Sequence, residues 1–239
     1  MGARALLECI EKLAEKIESE ELKRVVLSIV KNPVLTITDI KPLIKLEESP
    51  AAPRKHHFFT GGLLIHTCTV AKIAISLADI VEEVYGIKVD RDLVIATSIL
   101  HDIYKYYQYA PDSLNGGYKA REDWYLSHDY AIVAELSKRN APEKLIRAVT
   151  EVHGQVPFST IEGLLVHLAD SVDARLGEVL QNILLSRVRD YEKLCALYKA
   201  LDHLISARGV KGILGLALED VAGFRKVFED ACKEITAYS

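Results

Sequence analysis

Apolar residues recur at intervals of three and four along almost the whole chain, a period that suits α-helices and argues against strands. Leu6, Ile10, Leu13 and Ile17 follow it, as do Leu22, Val25, Val26 and Ile29, so the N-terminal segment reads as two short amphipathic helices. Asn32 and Pro33 stop the second; Pro42, Pro50 and Pro53 then punctuate a mostly extended linker with weak strand-like pieces such as Val34 to Ile37. Two long helices are expected next, from Leu63 to Val84 with Gly86 as its C-terminal cap, and from Asp90 to Tyr107, closed by Pro111. A polar loop with Asn115, Gly116 and Gly117 precedes a helix from Ser127 to about Lys138 and another from Pro142 to Gly154. Ser159 and Glu162 have capping-box spacing ahead of a long helix through Leu164, Leu168, Val172, Leu176 and Leu180. Stretches near Tyr191 to Ala207 and Leu218 to Thr236 read as two more, separated by Gly209, Gly212 and Gly215. The expected architecture is an all-α bundle with helical extensions at both ends.

Composition narrows the function classes. With 239 residues, 49% of them apolar and 27% charged, the chain should build a globular core. A net charge of −4 gives no global attraction to polyanions, so stable nucleic-acid binding is not expected. The first residues, MGARALLECIEKLAEK, are too charged for a secretory signal, and no membrane helix is expected. Cys9, Cys68, Cys195 and Cys232 are scattered without a CxxC pair, which is neither a disulfide framework nor a zinc-ribbon spacing and fits a reducing, cytoplasmic setting. One Met, three Gln and four Asn hint at a heat-adapted source, and the apolar content leaves room for a helix-mediated homo-oligomer.

The polar residues that interrupt apolar helices carry the chemistry. His66 follows Gly61, Gly62, Leu63, Leu64 and Ile65; His101 and Asp102 follow Ile99 and Leu100; Asp170 follows Leu168 and Ala169. A carboxylate on an apolar face is costly to bury unless it is paired or metal-bound, so Asp102 and Asp170 need partners. Imidazoles and carboxylates from different helices, converging on one bundle core, are ligands that suit Zn, Fe or Mn. Each histidine taken singly fits a hydrogen-bonded core residue equally well.

The order His66, then His101 with Asp102, then Asp170 resembles the signature of the HD-domain superfamily of metal-dependent phosphohydrolases. The strings HHFFTGGLLIHTCTVA, ILHDIYK and LVHLADSVDA are similar to that family's, over roughly residues 55 to 180. The resemblance implies an HD phosphohydrolase core over residues 51–182, with extensions at 1–50 and 183–239, the second packed on the core. It implies that His66, His101, Asp102 and Asp170 hold one metal ion, with Asp102 free to bridge to a second. His128 and His153 fall where two-metal members place extra histidines. Two divalent transition-metal ions (Fe, Mn, Ni, Co or Zn) would then lower the pKa of a bridging water, and a metal-bound hydroxide would attack phosphorus. Lys105 matches the lysine that often follows the HD pair and could neutralise charge on a phosphoryl oxygen, although Tyr104 stands where the family often has glycine.

Arg54, His56 and His57, with Lys55, put basic groups beside the Gly61–Gly62 turn, where a phosphate contact and a solvated loop are both open readings. Asp173, one turn after Asp170, and Asp129, next to His128, could orient ligands, contact substrate or form surface salt bridges. His167 is not expected to ligate directly, and His203 is far from the set in sequence. Tyr104, Tyr106, Tyr107, Tyr109, Tyr118, Trp124 and Tyr125 could stack on a heterocycle or simply pack the core, and Lys119 and Arg121 add charge to that loop. The expected activity is hydrolysis of a small nucleotide-like or cyclic phosphate ester by a phosphodiesterase or nucleotidase. The HHxxxGGLLxHT string is also similar to the HD portion of bacterial 3′–5′ exoribonucleases, but those carry an N-terminal OB-fold where this chain has about 50 mostly helical residues. Small archaeal HD phosphodiesterases that open a pterin 2′,3′-cyclic phosphate stay open as relatives, as does a noncatalytic metal- or nucleotide-binding signalling module.

Overall fold

The computed structural model describes residues 3–237. Among them the chain is all-α: α1 (Ala3–Glu15), α2 (Glu20–Lys31), α3 (Gly62–Tyr85), α4 (Arg91–Leu100), α5 (His128–Lys138), α6 (Glu143–Glu151), α7 (Ile161–Val188), α8 (Leu197–Glu219) and α9 (Val221–Ala237). A small antiparallel hairpin, β1 (Tyr109–Pro111) and β2 (Tyr118–Ala120), pairs Tyr109 with Ala120 inside the loop read as merely polar.

The two longest helices, α3 and α7, pack side by side, and α4 lies against both. Val70, Ala74, Val94, Leu165, Val166 and Ala169 fill the seam where these three meet. The expected periodicity of α1 and α2 holds, since Leu6, Ile10, Leu13, Ile17, Leu22, Val25, Val26 and Ile29 are all buried in a core continuous with α3 to α6. At the other end, Phe58 and Phe59 join Leu201, Ile205, Phe224 and Phe228 in a second core that seats α8 and α9. The helix α7 runs unbroken past residue 182. Although α3 is long and apolar enough to cross a membrane, it packs against α1, α4 and α7.

Local readings are corrected in five places. Residues 34–37 form no strand: the Leu35 N–H donates to the Tyr107 hydroxyl (3.0 Å) and the Thr36 N–H to Glu135 Oε2 (2.7 Å), so side chains take up the backbone groups a neighbouring strand would need. The helix expected to reach Tyr107 ends at Leu100, and tighter three-residue turns follow, with the Ile103 N–H bonded to Leu100 O and the Lys105 N–H to Asp102 O. The cap of α7 is Thr160, whose hydroxyl accepts from the Gly163 N–H (3.0 Å), while both Ser159 and Thr160 donate to Glu151. Gly209 kinks α8 (φ 74°), whereas Gly212 and Gly215 remain inside the helix. Finally, Cys195 and Cys232 are disulfide-bonded, a pairing their wide sequence separation concealed.

Glu135 is fully buried and ties the 34–38 segment to α5: it accepts from the Thr36 N–H and from Arg139 Nε (2.7 Å each). Glu135→Ala should cost about 3 kcal/mol, read as a lowered urea midpoint, because it strands both donors.

Candidate metal centre

Five chain segments deliver the polar cluster. His66 sits in the second turn of α3; His101 caps α4 and Asp102 follows it; His128 begins α5; His153 lies just beyond α6; Asp170 and Asp173 stand one turn apart on α7. The early end of α4 matters here, because a continued helix would carry Asp102 and Lys105 around its axis in a different rotation. The ring orientations are set by neighbours. His101 donates from Nδ1 to Ser98 O (2.8 Å), and His66 Nδ1 lies 2.6 Å from Asp173 Oδ2, so both present Nε2 to the cluster.

Asp102 divides the cluster. Its Oδ2 lies 3.3 Å from His66 Nε2 and 3.5 Å from His101 Nε2, and Asp170 Oδ1 lies 3.0 Å and 3.8 Å from the same two nitrogens. Its Oδ1 instead faces His128 Nε2 (3.1 Å) and His153 Nε2 (3.7 Å). Two sets therefore meet at one carboxylate, and within each set the ligand atoms lie within 4.8 Å of one another. Lys105 Nζ is 2.5 Å from Asp102 Oδ2.

This donor set fits divalent metal. The Nε2 atoms of His66, His101, His128 and His153 and both oxygens of Asp102 are buried, close together, and without an aligned hydrogen-bond partner among the described residues. Buried polar atoms normally find such partners, and here the common feature is lone pairs aimed at shared space. Electrostatics agree. Burial pushes the Asp102 carboxyl up, but Lys105, His101, His128 and His66 outweigh it and hold the group well below the usual carboxylate range. Burial pulls the His66 imidazole down, yet Asp102, Asp170 and Asp173 together raise it well above the ordinary histidine value. Three carboxylates around one buried imidazole make a site that favours positive charge. His153 is lowered by burial to about 4, which keeps it neutral and able to ligate near pH 7.

The remaining candidates separate clearly. Asp173 is buried behind His66, with its Oδ2 2.6 Å from His66 Nδ1, and not on the surface. His56 and His57 are buried rather than solvated, with ring centroids 5.2 and 5.7 Å from that of His66; burial lowers them to about 3 and 4, so they are neutral. Arg54 lies outside the cluster, bound to Asp112 (3.0 Å) and stacked on Tyr198 (4.1 Å). It lines a cleft of about 640 Å³ with Lys55, His56, Lys105, Tyr109 and Lys119. Asp129 bonds Ser127 and Gln155; His167 turns its Nδ1 to Val152 O; His203 pairs with Glu234. Tyr104, Tyr106 and Tyr107 are core residues, whereas Tyr109 and Tyr118 border the cleft.

Two contributors escaped sequence reading. The Ser98 carbonyl carried no signal of its own. Gly177 did: a glycine inside an apolar helix marks close approach, and a Cβ there would sit 2.4 Å from His57 Cε1. Gly62 is similarly constrained, since its Cβ would meet His57 O at 2.0 Å.

Comparison with known proteins gives the same picture. The HD domain family model matches residues 63–175, a span that contains all six cluster residues. The chain is 40% identical over 188 residues to the dihydroneopterin 2′,3′-cyclic phosphate phosphodiesterase of Methanocaldococcus jannaschii, covering 77% of this chain and 75% of that one. It is 30% identical over 157 residues to the 3′-5′ exoribonuclease YhaM of Bacillus velezensis, covering 60% of this chain and 47% of the relative. No solved structure matches it significantly.

Gly177→Ala should destabilise the fold by about 1–3 kcal/mol through overpacking against His57, whereas Gly215→Ala, which meets open space, should be neutral or stabilising; paired denaturation curves check this.

Proposed function

Because the chain belongs to the HD-domain family of metal-dependent phosphohydrolases, we propose that it is a phosphodiesterase that opens a small cyclic phosphate ester, of pterin or nucleotide-like kind, at a two-metal centre. The observation that carries this reading is the division of Asp102, with one oxygen toward His66, His101 and Asp170 and the other toward His128 and His153. One ion would be held by the first set, a second by His128 and His153, and Asp102 would be shared. When bound, such ions supply the Lewis acidity that lowers the pKa of water and offsets charge on phosphoryl oxygens. A transition metal such as Fe, Mn, Ni, Co or Zn suits this mixed imidazole and carboxylate set.

The chain's own residues do the rest. Asp173 holds the His66 ring through its Nδ1, and Ser98 holds that of His101, so neither ligand has to reorient. Lys105 is raised above the ordinary lysine value: burial opposes this, but Asp102 outweighs it, so the ammonium stays charged. It also lines the cleft, which places a fixed cation at the boundary between centre and substrate. Lys55 and Lys119 extend the positive charge along that cleft, Arg54 borders it in a pair with Asp112, and Tyr109 and Tyr118 offer apolar faces to a heterocycle. His56 and His57, being neutral, would contact substrate as hydrogen-bonding groups. A cytoplasmic location belongs to this reading.

The 30% identity to an exoribonuclease motivates RNA as a second substrate class. An anaerobic panel of 7,8-dihydroneopterin 2′,3′-cyclic phosphate, cyclic nucleotides, mononucleotides and short RNA, each with several metals, separates the two. Preferred turnover of a cyclic diester supports the reading, and preferred trimming of RNA overturns it. Asp102→Ala should lower turnover of a preferred diester by more than about a thousandfold; full activity in that variant would end the assignment. The double variant His128→Ala/His153→Ala should reduce bound metal from two ions per chain to one, measured by elemental analysis. Lys105→Ala should reduce kcat by about a hundredfold with a smaller effect on KM, read from initial rates.

A further inference from the structure

We propose that the cavity between α3, α7 and α8 is a second binding site, for a single-ring aromatic molecule that carries one hydroxyl group. The cavity measures about 180 Å³ and is walled by Phe59, Leu180, Leu184 and Leu214, with Gln181 set among them. Gln181 is only 4% exposed, and its Oε1 has no hydrogen-bond partner among the described residues. An amide oxygen buried in an apolar wall and left unpaired is costly, and nothing in the phosphohydrolase site accounts for it.

The shape and the chemistry select the occupant. An apolar cavity of about 150 Å³ accepts benzene, so this one has room for one ring and a small substituent. The apolar walls disfavour an ion or a heavily hydrated group, which excludes a phosphate ester. A hydroxyl both donates and accepts, so it satisfies Gln181 whichever way the amide is turned. The cavity adjoins the metal centre from behind and shares His57 and Asp173 with its surroundings, but none of the six clustered residues lines it. Its wall on that side is formed by His57 and Asp173, while His66 points Nε2 away from Asp173 toward the other ligands. The inference therefore does not rest on the proposed activity.

The test is titration of the full chain with 4-fluorophenol, followed by ¹⁹F NMR and thermal shift, beside fluorobenzene as the ring without the hydroxyl. One saturable site per chain is expected, unchanged by EDTA. Gln181→Leu should weaken 4-fluorophenol binding about five- to tenfold and leave fluorobenzene unaffected. Leu214→Trp, which fills the cavity, should abolish binding of both; Leu180→Phe narrows the same space from α7 if the tryptophan variant fails to fold. The absence of saturable binding, binding lost with EDTA, or binding indifferent to both the Gln181 and the cavity-filling changes would overturn the proposal.

Discussion

Asp102 is fully buried, ionised and flanked by four imidazoles and an ammonium, and its desolvation is the constraint to which the rest of the molecule answers. Removing a carboxylate from water costs several kcal/mol even after relaxation, so a fold that keeps one in its interior must return that energy through nearby positive charge. Here the return comes from Lys105 and the surrounding imidazoles, and the same geometry suits a divalent cation. The breaking of α4 after Leu100 is part of this arrangement. It aims both Asp102 oxygens into separate groups of ligands and brings Lys105 back against the carboxylate.

The surrounding scaffold is organised to hold these groups still. The long helices α3 and α7 carry His66, Asp170 and Asp173 on facing surfaces, and small residues in the seam between them, Ala74, Ala78 and Ala169, permit close packing. On the opposite side of His66 the chain is forced into an unusual conformation. His57 adopts a left-handed φ of 47°, which is uncommon outside glycine and asparagine, and Gly62 and Gly177 give it room. The strained residue touches the Asp173 carboxylate that orients His66, so backbone strain and ligand orientation occur in one contiguous cluster. Glycine at 177, deep in an otherwise regular helix, is explained by this approach and by nothing in the helix itself.

Solvent access gives the centre a direction. Lys105, His128, His153 and Asp170 retain slight exposure while His66, His101 and Asp102 have none, so the cluster opens on the side of α5 and the segment after α6. The basic cleft with Arg54 and Lys119 reaches the centre at Lys105 and His56. Arg54 shows how tertiary pairing redefines a charge. Its guanidinium is committed to Asp112 and the Tyr198 ring, so it shapes the rim of the cleft and is not a free anion receptor.

The helical class, the amphipathic faces of α1 and α2 and the ends of α3 were legible in the linear chain, because helix period and glycine caps are local; the order of the HD signature pointed to His66, His101, Asp102 and Asp170, which the fold brings together. What only the folded molecule decided lies where distant segments compete for the same backbone and space. Glu135 and Tyr107 took the donors that would have made residues 34–37 a strand, Glu151 gathered Ser159 and Thr160 at the start of α7, and Cys195 found Cys232. Asp112 claimed Arg54, and burial turned the His56–His57 pair from a prospective cationic loop into a neutral wall of the centre. The spacing of residues states which side chains can share a helix face. The orientation of a ring or carboxylate across helices depends on neighbours tens of residues away, and only packing supplies those neighbours.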